Sequence, residues 1–449
     1  MNRGTARARR LVGRALVAAG LAATSVIVLA GPAGAVDVAT DAELRAAWTD
    51  PSTTGILLTG DIALACTGSP TRSSASPIVV DGGGHTLSNP CPQDGLFQTG
   101  TGAVTVRDLL LTGNPGSLNG IASVAPIVLE RVTVTDYAGY GAASFSTVTA
   151  SDSSVVGSGG PAGVAAGLGV TLTDTVVSGN AGEGVLTSIG DVAADGSTIT
   201  GNGADGIEAA TTVALTATTV SGNVDSGVNA DSIDLVNSTV TGNGNFGTSG
   251  ADQTIAYSTI TSNASINVSA IDLEIFATVL DDGISCDVVN PVVSYGYNWS
   301  DTACGLTGPG DVDGATEESQ LGALADNGGP TATQLPATTS PLLDTVPLAD
   351  CQAGPATGVT TDQRGEDRPG AFTAGCDTGA VEVQGSEPVV PTTTTPGTPA
   401  PDATAPPSTG PDTIPRTGPT DQLPLALLGG LLVAAGLALA ARRQIGRAR

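Results

Sequence analysis

The chain contains no lysine, one histidine and few aromatic residues, and each shortage argues against a class of function. Its 16 basic residues are all arginines, and 43 acidic residues bring the formal net charge to −27 at pH 7. A field of this sign repels nucleic acids, so no nucleic-acid partner is predicted. His85 has no visible triad partner, so we predict a structural role for it. Only 3% aromatic residues beside 62 glycines favours thin, repetitive β-structure over a large globular core.

The first 35 residues are typical of a secretory signal peptide. Five arginines and no acidic residue precede an apolar run from Ala15 to Ala30, and the small-residue segment AGA follows at 33–35. This three-part pattern predicts export and removal of residues 1–35. A retained membrane anchor is the alternative.

The C-terminal residues 414–449 combine a short motif, an apolar segment and a basic tail. The apolar segment has 19 residues, which as a helix span about 28 Å, close to a bilayer core. The whole pattern resembles the LPxTG sorting signal of Gram-positive surface proteins, with isoleucine in place of leucine. The resemblance implies that a sortase cleaves after Thr417 and joins the chain to cell-wall peptide, so the membrane is contacted only before sorting. The alternative is a plain single-span anchor. The motif consists of Ile414, Pro415, Arg416, Thr417 and Gly418.

Six cysteines in a chain predicted to be exported indicate disulfides. They fall into local pairs, which we take as the best of fifteen connectivities. Neither a CxxC motif nor a Cys/His cluster is present, so no metal site is predicted. The pairs are Cys66 with Cys91, Cys286 with Cys304, and Cys351 with Cys376.

A Gly-Asn motif recurs after a short strand-like segment throughout the middle of the chain. The asparagines lie 22, 21, 20 and 20 residues apart, and a column of mostly β-branched residues keeps the same step. Between them, apolar residues alternate with Ser and Thr in pieces too short for helices. Units of this kind must stack to bury their apolar faces, and asparagine suits a stacked turn. The predicted ladder consists of Asn180, Asn202, Asn223, Asn243 and Asn263.

This pattern resembles an all-β fold, the right-handed parallel β-helix, and predicts about ten coils over residues 36–285. The segment 41–48 has helical spacing, so we expect a helical cap over the first coil. A leucine-rich repeat solenoid is the alternative, although it requires a leucine pattern that is absent here.

Residues 286–383 contain NGGPT and DQRG…RP…CDTGA, and resemble the choice-of-anchor Q domain of bacterial surface proteins. The resemblance implies a small, loop-rich domain that contains disulfides, and surface attachment without known catalysis. Arg364 and Arg368 lie among acidic residues and are predicted to form local ion pairs. Residues 384–413 are rich in Pro and Thr and predict an extended stalk.

Parallel β-helices are known chiefly as polysaccharide lyases and hydrolases, so this resemblance raises the question of an active site. A lyase needs a basic residue and often Ca²⁺ held by acids, and a hydrolase needs two facing carboxylates. The candidates are Arg107, Arg131, Asp108 and Glu130. Four acids recur at 22-residue steps and could form a column of carboxylates: Asp108, Glu130, Asp152 and Asp174. Residues 153–164 align without a gap onto 174–185, however, and this alignment places Ser153 beside Asp174. A shift of one residue turns a side chain to the other face of the strand, so we do not expect the column to form.

We therefore predict a non-catalytic rod for binding, adhesion or structural display, anchored to the cell wall of a Gram-positive bacterium. Its expected partners are sortase, cell-wall peptide, and glycans or other cell surfaces. No cofactor is expected unless Ca²⁺ occupies an acidic groove. The alternative is a carbohydrate-active enzyme on the same scaffold.

Overall fold

The computed structural model describes residues 35–371 and 373–385. The predicted signal peptide, the stalk beyond residue 385 and the sorting motif lie outside these residues. Within the described ranges, no helix is long and apolar enough to cross a membrane.

The chain winds into a right-handed parallel β-helix whose coils form three sheets, which confirms the predicted fold class. Every pairing between coils is parallel, and one coil takes 20 to 22 residues where the repeat is regular. Three sheets per coil and the lack of a helix in each unit exclude the leucine-rich repeat alternative.

The strands of sheet 1 are Val36–Val38, Gly55–Leu58, Ile78–Asp81, the first halves of Val104–Thr112 and Ile127–Thr135, Thr147–Ser151, Gly169–Thr173, Asp191–Asp195, Thr212–Thr216, Ser232–Val236, the second halves of Thr248–Ala256 and Ile266–Phe276, and Val293–Gly296. The strands of sheet 2 are Ile62–Ala63, Thr86–Ser88, the second halves of Val104–Thr112 and Ile127–Thr135, Ser154–Val156, Val176–Ser178, Thr198–Thr200, Thr219–Ser221, Thr239–Thr241, Thr259–Thr261, Val279–Asp281, Trp299–Ser300 and Val312–Asp313. The strands of sheet 3 are Thr71–Arg72, Leu96–Gln98, Ile121–Ser123, Ala142–Ser144, Ala162–Ala166, Glu183–Thr187, Ile207–Glu208, Val228–Asn229, the first halves of Thr248–Ala256 and Ile266–Phe276, and Ile284–Val288.

Alternation along each short strand sends apolar residues into the core. In sheet 2, one inward column of β-branched residues is completely buried, and its members pair directly from coil to coil. A stack of this kind buries one apolar side chain per strand that no single coil could bury alone. The column runs through Val155, Val177, Ile199, Val220, Val240 and Ile260.

The structure brings the five predicted ladder asparagines together in one buried stack. Asn180 Nδ2 donates to Asn202 Oδ1 at 2.8 Å, and Asn202 Nδ2 donates to Asn223 Oδ1 at 2.9 Å. The same bond links Asn223 to Asn243 and Asn243 to Asn263. Each Oδ1 also accepts the backbone N–H of the asparagine in the coil before it, which satisfies buried turn amides.

Within the part of the chain that the structure describes, sheets 1 and 2 each contain thirteen strands, more than the predicted ten coils. Parallel pairing also crosses residue 285 and reaches Val312–Asp313. The repeat is no longer visible in the sequence of these last coils because they lack the Gly-Asn turn. The backbone of each of these coils still pairs with the preceding coil.

A helix, α1 (Asp41–Thr49), lies against the first strands. Thr40 accepts the N–H of Glu43 as its N-cap, and Glu43 Oε2 accepts the N–H of Ala39 in return. The helix buries Leu44, Ala47 and Trp48, and Trp48 Nε1 donates to the carbonyls of Pro70 and Phe97.

The described residues 314–371 and 373–385 contain one 3₁₀ turn (Gly354–Ala356), the antiparallel strand pair Val346–Pro347 with Gly375–Cys376, and three isolated antiparallel bridges. They cover the outer face of sheet 2 in the later coils. Thr239 Oγ1 donates to Gln363 Oε1 at 2.6 Å, and Gln363 Nε2 donates to Thr219 Oγ1 at 2.8 Å. The three predicted disulfides are confirmed: Cys66–Cys91, Cys286–Cys304 and Cys351–Cys376.

Candidate functional site

An open cleft of about 540 Å³ lies between sheets 1 and 2 in the early coils. It contains two of the four candidate catalytic residues together with an apolar and a hydroxyl-bearing side chain. Its lining consists of Asp81, Gly83, Gly84, Asp108, Leu109, Leu110, Arg131 and Thr133.

A single residue in left-handed conformation turns the chain from sheet 1 to sheet 2 in successive coils. Asp108, Arg131, Asp152 and Asp174 take this position, with φ of 51°, 57°, 48° and 46°. Asp tolerates positive φ better than most residues, whereas Arg rarely adopts it, so Arg131 is the unusual member of this column. The shared turn places all four side chains in one row along the rod.

The gap-free alignment that dissolved the acidic column is therefore wrong. Ser154 pairs with Val176, so Asp152, not Ser153, lies beside Asp174. The one-residue difference is absorbed later, because Val164 pairs with Val185. The 22-residue spacing predicted Glu130 at the second position of this row, but the structure has Arg131 there. Glu130 lies one position earlier, beside Arg107 in the preceding coil.

Both candidate arginines are held by carboxylates of the preceding coil. Arg131 Nε and Nη2 donate to Asp108 at 2.7 and 2.8 Å, a bidentate pair at the surface. Arg107 is nearly buried, and its Nε donates to Asp81 Oδ2 at 3.0 Å. Arg107 Nη2 lies 2.8 Å from the same oxygen without hydrogen-bond alignment.

The Arg131–Asp108 pair shifts the pKa values of both partners away from those of a base catalyst. The hydrogen bonds to Asp108 raise the pKa of Arg131 above its usual value, and the same bonds lower the pKa of the Asp108 carboxyl. A lyase base must lose its proton at the working pH, so its pKa has to fall. Arg131 is thus a hydrogen-bond donor and a positive charge, with the opposite tuning to a base.

Two acidic residues lie along the rod beyond the cleft: Asp174 is in the row, and Asp195 lies one position before it, because Asp195 pairs with Thr173. Burial, followed by the charge of Asp152, raises the pKa of Asp174, and burial followed by the charge of Asp174 raises that of Asp195. Asp174 borders a smaller cleft of about 240 Å³, which Pro330 of the C-terminal segment also lines. Across residues 35–371 and 373–385, no group of three or more His, Cys, Asp or Glu side chains is arranged to hold a metal ion.

Three aromatic residues lie close together in one coil, at positions 137, 140 and 145. Tyr137 and Tyr140 are buried, and Phe145 is exposed. His85 Nδ1 lies 3.5 Å from Asp61 Oδ1 at the surface, and its backbone carbonyl accepts the N–H of Leu110. Sequence reasoning missed Asp81, Leu110 and Thr133. The segment IVVDGGG, in which an acid follows a buried strand and precedes a glycine run, was the available signal for Asp81.

The chain is similar to known proteins in two ways, through a match to a protein-family model and through similarity to solved structures. Residues 35–156, which contain the whole cleft, match a family model described as "Putative pectate lyase-like adhesive domain". No curated protein matches the chain.

Two solved structures are also similar. The A-module of mannuronan C-5 epimerase AlgE4 from Azotobacter vinelandii shares 19% identity at a TM-score of 0.47, over 60% of this chain and 89% of that one. Pectate lyase Pel9A shares 15% identity at a TM-score of 0.46, over 74% of this chain and 88% of that one.

Proposed function

We propose that this protein is a non-catalytic surface rod that binds glycans or other cells through the lateral face of its early coils. The observation that carries the proposal is the pairing of both candidate bases, Arg107 with Asp81 and Arg131 with Asp108. A side chain held in its charged form by a carboxylate serves recognition better than proton abstraction. The match of residues 35–156 to a pectate lyase-like adhesive family supports the same reading.

The second part of the proposal concerns location. The signal-peptide pattern of residues 1–35 and the IPRTG motif support export and sortase attachment through Thr417 to the wall of a Gram-positive bacterium. The similarity of residues 286–383 to choice-of-anchor Q domains and the Pro/Thr-rich segment 384–413 fit a stalked surface protein. In this arrangement α1 acts as a cap at the free end of the rod.

A direct test separates adhesion from catalysis. The full chain is incubated with polygalacturonate, alginate and neutral glycans, with and without Ca²⁺, and new unsaturated or reducing ends are measured beside retention of the glycans and of whole cells. We expect retention of at least one glycan or of whole cells, without new chain ends on any of the glycans. Turnover that Arg131→Ala abolishes would identify an enzyme instead.

Attachment is tested on the producing cell. Muramidase-released wall fragments are analysed by mass spectrometry, and we expect Thr417 to be joined to wall peptide. Intact protein that retains RRQIGRAR in detergent-soluble membranes would favour a plain membrane anchor and reject sorting.

A further inference from the structure

We infer that the cleft formed by Asp81, Gly83, Gly84, Asp108, Leu110, Arg131 and Thr133 binds uncharged saccharides and discriminates against uronates and other polyanions. The inference rests on the proposed adhesive function and names the ligand class of the same face.

The cleft offers the groups that a polyol needs. Asp81 and Asp108 provide carboxylate oxygens that accept hydrogen bonds from hydroxyl groups. Arg131, with 53% of its side chain exposed, uses Nε and Nη2 for Asp108, so its Nη1 N–H groups remain to donate to a hydroxyl or ring oxygen. Two acceptor carboxylates and one donor guanidinium thus lie in the same cleft.

The floor of the cleft is apolar and hydroxylated. Leu110 is 38% exposed and pairs across the sheet with Thr133 in the next coil. Carbohydrates present C–H faces beside hydroxyl groups, so an exposed leucine next to a threonine hydroxyl matches both parts of their surface. Gly83 and Gly84 have φ of 60° and 81°, and their lack of side chains leaves the rim open.

Among the described residues, an anionic ligand finds no arginine near the cleft that lacks a carboxylate partner. Lysine is absent from the sequence, and each of the six arginines among residues 35–371 and 373–385 donates to a carboxylate or to backbone carbonyls. A uronate could accept from Arg131 only through Nη1, unless it displaced Asp108, and in either position it would lie beside the carboxylates of Asp81 and Asp108. The net charge of the chain adds repulsion at longer range. A neutral ligand is repelled neither by the carboxylates in the cleft nor by the net charge of the chain.

The experiment measures binding of the full chain to a soluble mannan, a soluble neutral glucan and polygalacturonate by titration calorimetry at constant ionic strength. Leu110→Ala removes the apolar floor, and Leu168→Ala is its matched control because Leu168 is also exposed but lies outside the cleft. We expect binding of at least one neutral glycan, about tenfold weaker binding in Leu110→Ala and unchanged binding in Leu168→Ala. Polygalacturonate is expected not to bind the wild type.

A second variant tests the reason for the discrimination. Asp108→Asn keeps a residue that tolerates positive φ but releases Arg131 from its carboxylate. It should gain measurable affinity for polygalacturonate, whereas the exposed, charge-matched control Asp37→Asn should not. Circular dichroism of each variant verifies the fold.

The possible failures are distinct. Wild-type binding of polygalacturonate at least as tight as that of the neutral glycans, no glycan binding at all, or neutral binding untouched by Leu110→Ala overturns the ligand assignment. If cells still adhere equally to wild type and Leu110→Ala, the adhesive function survives with a different contact surface. New saccharide chain ends, or no adhesion of any kind, overturn the adhesive function itself.

Discussion

The guanidinium of Arg368 lies 3.9 Å from the ring centroid of Tyr257, which joins the C-terminal segment to a coil more than a hundred residues earlier. Both side chains are fully buried. Arg368 donates to the carbonyls of Asp377 and Gly379 and lies 3.3 Å from Glu382. The predicted ion pairs of Arg364 and Arg368 are thus confirmed, with Asp362 and Glu382 as the partners.

Replacing Arg368 with glutamine should strongly destabilise the protein. Burial already raises the pKa of Glu382, and Arg368 opposes that effect, so its removal leaves an uncompensated buried acid. We expect a loss of about 3–5 kcal/mol in the free energy of unfolding, measured by urea titration. Arg131→Gln, which breaks an exposed pair, should cost less than about 1 kcal/mol. Equal losses would contradict the structural role of Arg368.

The asparagine stack predicts a large difference between two asparagines. Asn223→Ala removes the acceptor of the Asn202 backbone N–H and Nδ2, which leaves buried donors unpaired. We expect a loss of about 2–4 kcal/mol in urea unfolding. Asn245→Ala breaks a single bond to Asp225 in a half-buried turn and should change stability by less than about 0.5 kcal/mol. Similar effects of the two substitutions would argue against the stack as a source of stability.

The half-buried acid Asp195, which lies beside the row, predicts how stability changes with pH. The folded-state pKa of Asp195 is raised above 3.8 by burial and by Asp174. Its favourable contribution is therefore complete below the unfolded pKa and is lost as pH rises through the folded pKa. Asp195→Asn removes this loss, so the stability of the variant relative to wild type should increase from about pH 4 upward. Thermal unfolding from acid to neutral pH measures it, and a relative stability that falls with rising pH would contradict the shift.

The role of α1 at the first coil can be tested through Trp48. Trp48→Ala removes a fully buried ring and its bonds to Pro70 and Phe97. We expect a loss of about 3–5 kcal/mol and faster amide hydrogen exchange, measured by mass spectrometry, in Val36–Val38 and Gly55–Leu58. Thr49→Ala, on the exposed side of the helix, should leave exchange unchanged. Unaltered hydrogen exchange in these strands after Trp48→Ala would contradict the prediction that α1 caps the first coil.

Local features of this chain could be read from the sequence because they repeat. The Gly-Asn spacing predicted the turn that holds Asn202 and Asn223, and the alternation around Val220 predicted its burial. The short separation of each cysteine pair predicted its partner. The register of Asp152 with Asp174 was not predictable in this way, because the one-residue difference between coils is absorbed in a loop and not in the strands.

The sequence by itself determined the coil, since period-two strands and a recurring Gly-Asn turn leave stacking as the only way to bury the apolar faces. Only the tertiary structure decided which carboxylates hold Arg107 and Arg131, because those partners lie one coil away, 26 and 23 residues earlier. It also decided that Gln363 covers Thr219 and Thr239, at separations of 144 and 124 residues. Contacts of this range carry no periodic signal, so they depend on where the stacked coils place their outer faces.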